Sequence, residues 1–216
     1  MKTKVKICGI TTLNDAQAAI DAGAEYIGFN FYPKSVRFVD KETCAKITYE
    51  LKKKHAQIKL VGVFVNSSVA DIQNLLEFCS LDLAQLHGDE TPNAFSELAP
   101  YAFKAFRGVP STVSGYERAD APALLVDAAV KGVYGGSGHI ADWAGAAGLA
   151  KRYPLFLAGG LNPENVANAV RQVQPWGVDV ASGVEVPPRL DGKAGPGKKD
   201  AAKMSAFVKA VRQVEN

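Results

Sequence analysis

The sequence predicts a single-domain α/β protein folded as a closed (β/α)8 barrel. Three observations carry this. Short apolar runs alternate with helix-length segments about eight times along the 216 residues, with no linker between them. The runs are apolar at successive positions, as in Leu60-Val61-Gly62-Val63-Phe64-Val65, which suits strands covered on both faces. Polar residues and glycines gather where the runs end, which is where a parallel barrel opens to ligand. An open doubly wound sheet is the competing arrangement. It is disfavoured because no G-x-G-x-x-G follows the first run, and because a chain of this length in that fold would show five or six strands.

The elements follow in order. Val5 to Cys8 is the first strand. Thr12 supplies capping chemistry for a helix to Ala22, whose apolar stripe is Leu13, Ala16, Ala19 and Ile20 and whose stop is Gly23. Tyr26 to Phe31 is the second strand, and a loop from Tyr32 to Asp40 leads to a helix over Lys41 to Lys54. Lys59 to Val65 is the third strand; Ser68 caps a helix to about Cys79. Leu83 to Leu86 and Ala102 to Phe106 are strands four and five, with a helix around Pro92 to Leu98 between them. A short, poor helix is expected over residues 110–120. Ala123 to Val126 is the sixth strand, followed by a glycine-rich loop, Gly132 to Gly138, and a helix from Asp142 to about Arg152. Leu155 to Leu157 is the seventh strand. Pro163 is placed in the first turn of a helix to about Val173. Gly177 to Val180 is the eighth strand, and the last helix runs from about Lys199 to Gln213.

Composition narrows the function. The chain is 47% hydrophobic and 22% charged, an ordinary globular balance, with a formal net charge of +3. Lys52-Lys53-Lys54 is the densest basic run and sits at a helix end, where cations suit the macrodipole; it reads as a solvated face and not as a nucleic-acid patch. Cysteines at 8, 44 and 79 have no C-x-x-C spacing, which argues against a disulfide framework or a zinc site and fits a reducing compartment. No signal-like segment or membrane-length apolar run occurs, so a cytoplasmic protein is expected.

The strand ends hold the chemistry on offer: Cys8, Asn30, Val65-Asn66, His87, Arg107, Asp127, Gly159-Gly160 and Ser182-Gly183. Cys8 is either a small hydrophobe plugging a strand end or a thiol whose proton a nearby cation labilises. Asp127 is either a cap or salt-bridge partner or a shielded carboxyl acting as an acid. His87 reads as a hydrogen-bonding residue and not a base. The glycines at the ends of strands seven and eight suit a phosphate, whose oxygens backbone N–H groups can approach closely there. Gly192 and Gly197-Lys198 fit G-x-x-x-x-G-K, but Lys199 replaces the required Ser or Thr, so a P-loop is rejected. No metal-ligand motif occurs, and neither metal nor cofactor is expected.

Lys6-Ile7-Cys8-Gly9-Ile10-Thr11 resembles the opening motif of the phosphoribosylanthranilate isomerase family of tryptophan biosynthesis. So do Gly28-Phe29 with Ser35-Val36-Arg37, Val61 to Asn66, and Gln85-Leu86-His87-Gly88-Asp89-Glu90. The matches continue through Leu125-Val126-Asp127, Gly135-Gly136-Ser137-Gly138 with Asp142-Trp143, Ala158-Gly159-Gly160-Leu161, and Val180 to Glu185 with Lys199-Asp200. The resemblance spans essentially the whole chain. It implies a cofactor-free (β/α)8 barrel that performs an Amadori rearrangement of N-(5-phosphoribosyl)anthranilate. By the same resemblance Asp127 is the acid at the ribose ring oxygen, Cys8 the base at C2′, and Arg37 the holder of the anthranilate carboxylate. Gly159, Gly160, Ser182 and Gly183 would hold the phosphate, with His87 and Asp179 completing the substrate-binding set. The partner implied is this small-molecule substrate, with no nucleic acid and no membrane; the sequence leaves monomer and homodimer both open.

The chain departs from the family pattern in places. Val36 replaces a proline, which would loosen the loop carrying Arg37. Ser137 replaces threonine, His139 replaces lysine, and Ala181 replaces a serine that would contact phosphate. The stretch from Val186 to Lys198 is longer than usual and reads as a surface excursion. A thiol-redox role is disfavoured because no resolving cysteine lies close to Cys8 in sequence, and two stronger rivals stand beside it. The related isomerase of histidine biosynthesis usually has an aspartate on the first strand, against Cys8. A non-catalytic phosphosugar-binding barrel would need neither Cys8 nor Asp127.

Overall fold

A computed structural model describes residues 2–127, 142–187 and 197–214. Eight parallel strands close into a barrel in sequence order. They are β1 (Lys4–Cys8), β2 (Tyr26–Asn30), β3 (Lys59–Phe64), β4 (Leu83–Leu86), β5 (Ala102–Arg107), β6 (Leu124–Asp127), β7 (Leu155–Ala158) and β8 (Gly177–Val180). Closure comes from β1 pairing with β8, Lys6 standing opposite Asp179 and Ile7 opposite Val180. The helices are α1 (Leu13–Ala22), α2 (Lys41–Lys54), α3 (Val69–Phe78), α4 (Pro92–Glu97), α5 (Trp143–Ala150), α6 (Val166–Val173) and α7 (Ala201–Arg212). Local chemistry fixes most of their starts: the side chains of Thr12, Asp40, Ser68, Thr91, Asp142 and Asp200 each accept the backbone N–H three residues on.

Strand periodicity sorts the core into two layers. Val5, Ile7, Ile27, Leu60, Leu86, Leu124 and Val178 point outward against the helices. Tyr26, Val61, Leu83, Phe103, Leu125 and Phe156 fill the barrel interior, where Phe156 meets Tyr26 edge-on at a centroid distance of 5.3 Å. The interior is packed toward its amino-terminal end, and the carboxyl-terminal mouth holds the polar groups.

Two expected features differ. Residues 110–120 form turns instead of a helix. Side chains there compete for the backbone: Thr112 Oγ1 accepts from Ser114 N, Glu117 accepts from Gly115 N, and Gly115 has φ +84°. Pro163 also lies outside its helix. Asn162 Oδ1 accepts from both Glu164 N and Asn165 N, which holds this stretch as a turn and delays α6 to Val166. The glycine-rich loop over 132–138, with Ser137 and His139, lies outside the described residues, as does most of the 186–198 excursion.

Candidate active site

The inward positions nearest the carboxyl ends of the strands converge on one cavity of about 280 Å³. Cys8, Asn30, Gln85, Asp127 and Asp179 all line it, each on the same inward parity as the packed interior below. His87, Arg37, Gly159, Gly160 and Ser182 complete the wall. Of the strand-end residues read from the sequence, Val65, Asn66, Arg107 and Gly183 are not on its lining. Arg107 is exposed and pairs with Asp89 at 2.7 Å. Asn66 ties the β4 turn together, its backbone N–H donating to Glu90 and its Oδ1 accepting from Asp89 N. Glu90 in turn receives Gly88 N and the buried Lys104 ammonium at 2.7 Å, so the Gly88-Asp89-Glu90 stretch is structural.

Cys8 is 8% exposed and ends β1. Burial pushes its thiol up from the ordinary cysteine value, and the cations Lys6 and Lys199 pull against that. Lys6 is wholly buried in the body of β1, its Nζ 3.0 Å from Asp179 Oδ1. Burial pushes the ammonium down, but Asp179 and Cys8 outweigh it and leave the pKa above the usual lysine value. Asp179, expected to bind substrate, reaches the cavity with its carboxylate already engaged by Lys6.

Gln85 and His87 form a second polar unit. Gln85 Nε2 lies 2.9 Å from His87 Nδ1. Burial holds the imidazole below its usual pKa, so it is neutral at pH 7. With Nδ1 accepting from the amide, the network assigns the ring proton to Nε2. Gln85 Oε1 is buried and has no hydrogen-bond partner.

Arg37, expected to hold the anthranilate carboxylate, lines the cavity and is itself held by Glu185. Its Nε and Nη2 grip Glu185 at 2.6 and 2.9 Å, and Lys199 adds a third contact to Glu185 at 2.9 Å. The Arg37 stem lies over Gly9, where any Cβ would collide with it. The loop that carries Val36 is tied at its neighbours: Ser35 Oγ accepts from Asn30 Nδ2 and Arg37 N at 3.2 and 3.1 Å, and Phe38 pairs with Asn30. Ala181 contributes its carbonyl, which accepts from Lys199 at 3.1 Å.

The glycine turns after β7 and β8 are brought together. Gly159 and Gly160 take φ values of +98° and +65°, which favour glycine. Gly183 sits so close to the Leu161 carbonyl that no side chain fits, so the two turns pack backbone to backbone. Lys6, Glu185 and Lys199 carry much of this site's electrostatics, yet strand-end reading gave none of them a role. For Lys6 a signal existed: a lysine two residues before Cys8, on the same inward parity, within an apolar strand.

A closed parallel barrel whose mouth gathers a thiol, a carboxylate, buried cations and paired glycine turns defines a (β/α)8-barrel enzyme. The chain matches the family model described as N-(5'phosphoribosyl)anthranilate (PRA) isomerase over residues 5–210, and it belongs to that family. A relative from Magnetococcus marinus, N-(5'-phosphoribosyl)anthranilate isomerase, is 46% identical over 220 residues, covering 100% of this chain and 98% of its own. The crystal structure of phosphoribosyl anthranilate isomerase from Thermotoga maritima superposes with a TM-score of 0.80 at 34% identity, covering 98% of this chain and 99% of that one. A structure of such an isomerase in complex with reduced 1-(o-carboxyphenylamino)-1-deoxyribulose 5-phosphate has a TM-score of 0.76 at 34% identity, with coverages of 98% and 99%. The chain is thus an isomerase of tryptophan biosynthesis.

Proposed function

We propose that this chain isomerises N-(5-phosphoribosyl)anthranilate to 1-(2-carboxyphenylamino)-1-deoxyribulose 5-phosphate with Asp127 as acid and Cys8 as base. The observation that carries the assignment is their placement. Asp127 ends β6 and Cys8 ends β1, with β7 and β8 between them in the ring and one cavity before both. Proton delivery and proton removal occur at different atoms of the sugar, so two groups on separate walls suit the reaction.

Asp127 gives a proton to the ribose ring oxygen as the C1′–O bond breaks, and the aniline nitrogen lone pair forms the Schiff base. The Cys8 thiolate then takes the C2′ proton. The C2′–H electrons form the enolamine double bond and neutralise the iminium, and tautomerisation yields the ketone. The phosphate docks at the Gly159-Gly160 and Ser182-Gly183 turns, where close backbone packing supplies N–H groups without side-chain obstruction. Arg37 takes the anthranilate carboxylate. Its Nε–Nη2 edge is engaged by Glu185, which leaves the Nη1–Nη2 edge for the substrate. Gln85 and His87 stand together on the cavity wall, and the His87 Nε2–H is the donor for a ribose hydroxyl. A cytoplasmic location suits this role; among the described residues no helix is long and apolar enough to cross a membrane.

The test is loss of substrate fluorescence when purified protein meets freshly prepared phosphoribosylanthranilate. Turnover with the wild-type chain and its loss in Cys8→Ala and Asp127→Asn support the assignment. Unchanged turnover in either folded variant removes that residue from the mechanism.

A further inference from the structure

A buried ion pair is a poor device for stability. Taking both charges out of water costs about as much as their attraction returns, and apolar residues of similar volume do as well or better. Lys6 and Asp179 nevertheless occupy inward positions of adjacent strands, with Asp179 on the cavity wall, in a barrel interior otherwise filled by Tyr26, Leu83, Phe103 and Phe156. Gly28 shows what the pair sits beside. A Cβ at Gly28 would stand 2.8 Å from Cys8 Sγ and 3.1 Å from Lys6 Nζ, so thiol and ammonium flank the same point of space.

We propose that Lys6 is a positioning residue for the isomerisation: its ammonium, anchored by Asp179, stabilises the Cys8 thiolate, and Asp179 sets the size of that effect by opposing it. This rests on the reading of Cys8 as the base. The charges facing the thiol are Lys6 on its own strand, Asp179 on β8, Arg37 from the loop after β2 and Lys199 ahead of α7. Arg37 and Lys199 share Glu185, which offsets them. Lys6 also shares its counter-charge with Asp179, but it is the cation that flanks the thiol at Gly28. The two partners therefore act with opposite sign. Removing the cation raises the thiol pKa, and removing the carboxylate lowers it, whereas a pair that merely holds the fold would move both variants the same way.

The experiment follows iodoacetamide alkylation of Cys8 against pH, read by mass spectrometry of the Cys8 peptide because Cys44 and Cys79 are also free thiols. The variants are Lys6→Met, Asp179→Asn and the double Lys6→Met/Asp179→Asn, which leaves neither charge unpaired if a single variant fails to fold. Circular dichroism establishes folding in each. Lys6→Met should slow alkylation at pH 7 by at least about tenfold, equivalent to one pKa unit. Asp179→Asn should speed it, and the double variant should fall between wild type and Lys6→Met. The acid limb of kcat/KM should move with the alkylation profile. If alkylation shifts as expected while that limb stays fixed, the tuning of the thiol stands and the reading of Cys8 as base falls. If the folded variants leave the alkylation profile unmoved, or move it in one common direction, the proposal is overturned.

Discussion

Replacing Gly28 by alanine adds one methyl group at the point where the reactive thiol and its neighbouring ammonium meet. The new Cβ would lie 2.8 Å from Cys8 Sγ, 3.1 Å from Cys8 Cα and 3.1 Å from Lys6 Nζ. Cys8 Cα is backbone in a strand paired with Gly28 itself, so it cannot swing aside. Relief requires the thiol to rotate away or β1 and β2 to separate by a few tenths of an ångström. Inserting a methyl into a packed interior costs roughly 1–3 kcal/mol. At about 2 to 4 °C per kcal/mol for a chain of this size, Tm should fall by roughly 2 to 12 °C. The functional loss should be larger, because a displacement of about 1 Å in a reacting group can cost around 10²-fold. We expect kcat to fall ten- to a hundredfold in the fluorescence assay, with KM nearly constant, because the phosphate and carboxylate contacts lie elsewhere on the mouth. Gly148→Ala is the control: nothing lies within 4 Å of its added Cβ, and alanine suits the interior of α5, so Tm should rise slightly and activity hold. A Gly28→Ala protein with wild-type kcat and Tm would refute the packing of thiol and ammonium over this glycine.

Cys8→Ala and Asp127→Asn should each lower kcat at least about a hundredfold with little change in affinity for a product analogue, measured by steady-state kinetics and competitive inhibition. Arg37→Ala should cost roughly 2 to 4 kcal/mol in kcat/KM, and normal discrimination against substrates lacking the anthranilate carboxylate would remove it from that role. Gly183→Ala should weaken inhibition by inorganic phosphate by an order of magnitude or more, since the turns after β7 and β8 must separate; unchanged inhibition would place the phosphate elsewhere. The Glu185 carboxyl is pushed up by burial, but Arg37 and Lys199 overcome this and hold it below its usual range. A depressed folded-state pKa gives stability that is present above the unfolded value and is lost as pH falls through the folded one. Glu185→Gln should therefore be less stable at neutral pH and lose less further stability on acidification, as urea midpoints across the carboxylate range would record. Shortening Pro187 to Gly195 should leave the fold intact and activity within about tenfold, because Val186 N–Lys198 O and Asp200 N–Val184 O already join the two ends.

The elements were legible because their signals are local. Asp40 and Ser68 announce helix starts within three residues, and α2 occupies Lys41–Lys54 as its pattern implies. The 110–120 stretch misled because its helix-compatible length concealed Pro110, Gly115 and a run of side chains that hydrogen-bond their own backbone. Cys8, Asp127 and the glycine turns were legible as strand ends. The Lys6–Asp179 and Arg37–Glu185 pairs were not, because their partners stand 173 and 148 residues apart and only barrel closure brings them together. Arg37 illustrates the difference: the resemblance supplied its role, while the grip of Glu185 on one edge of its guanidinium comes from the folded chain alone.

That closure has a consequence for the order in which the chain acquires chemistry. The thiol belongs to β1, but the carboxylate that anchors its ammonium neighbour belongs to β8, and Arg212 of α7 reaches back to the Thr3 carbonyl at 2.6 Å. A partly folded ring with β8 undocked leaves Cys8 exposed, with Lys6 hydrated and unanchored. The environment of this one sulfur thus becomes native only when the ring is sealed. Its alkylation rate during refolding would serve as a clock for the seam, separate from helix formation, which capping residues direct locally.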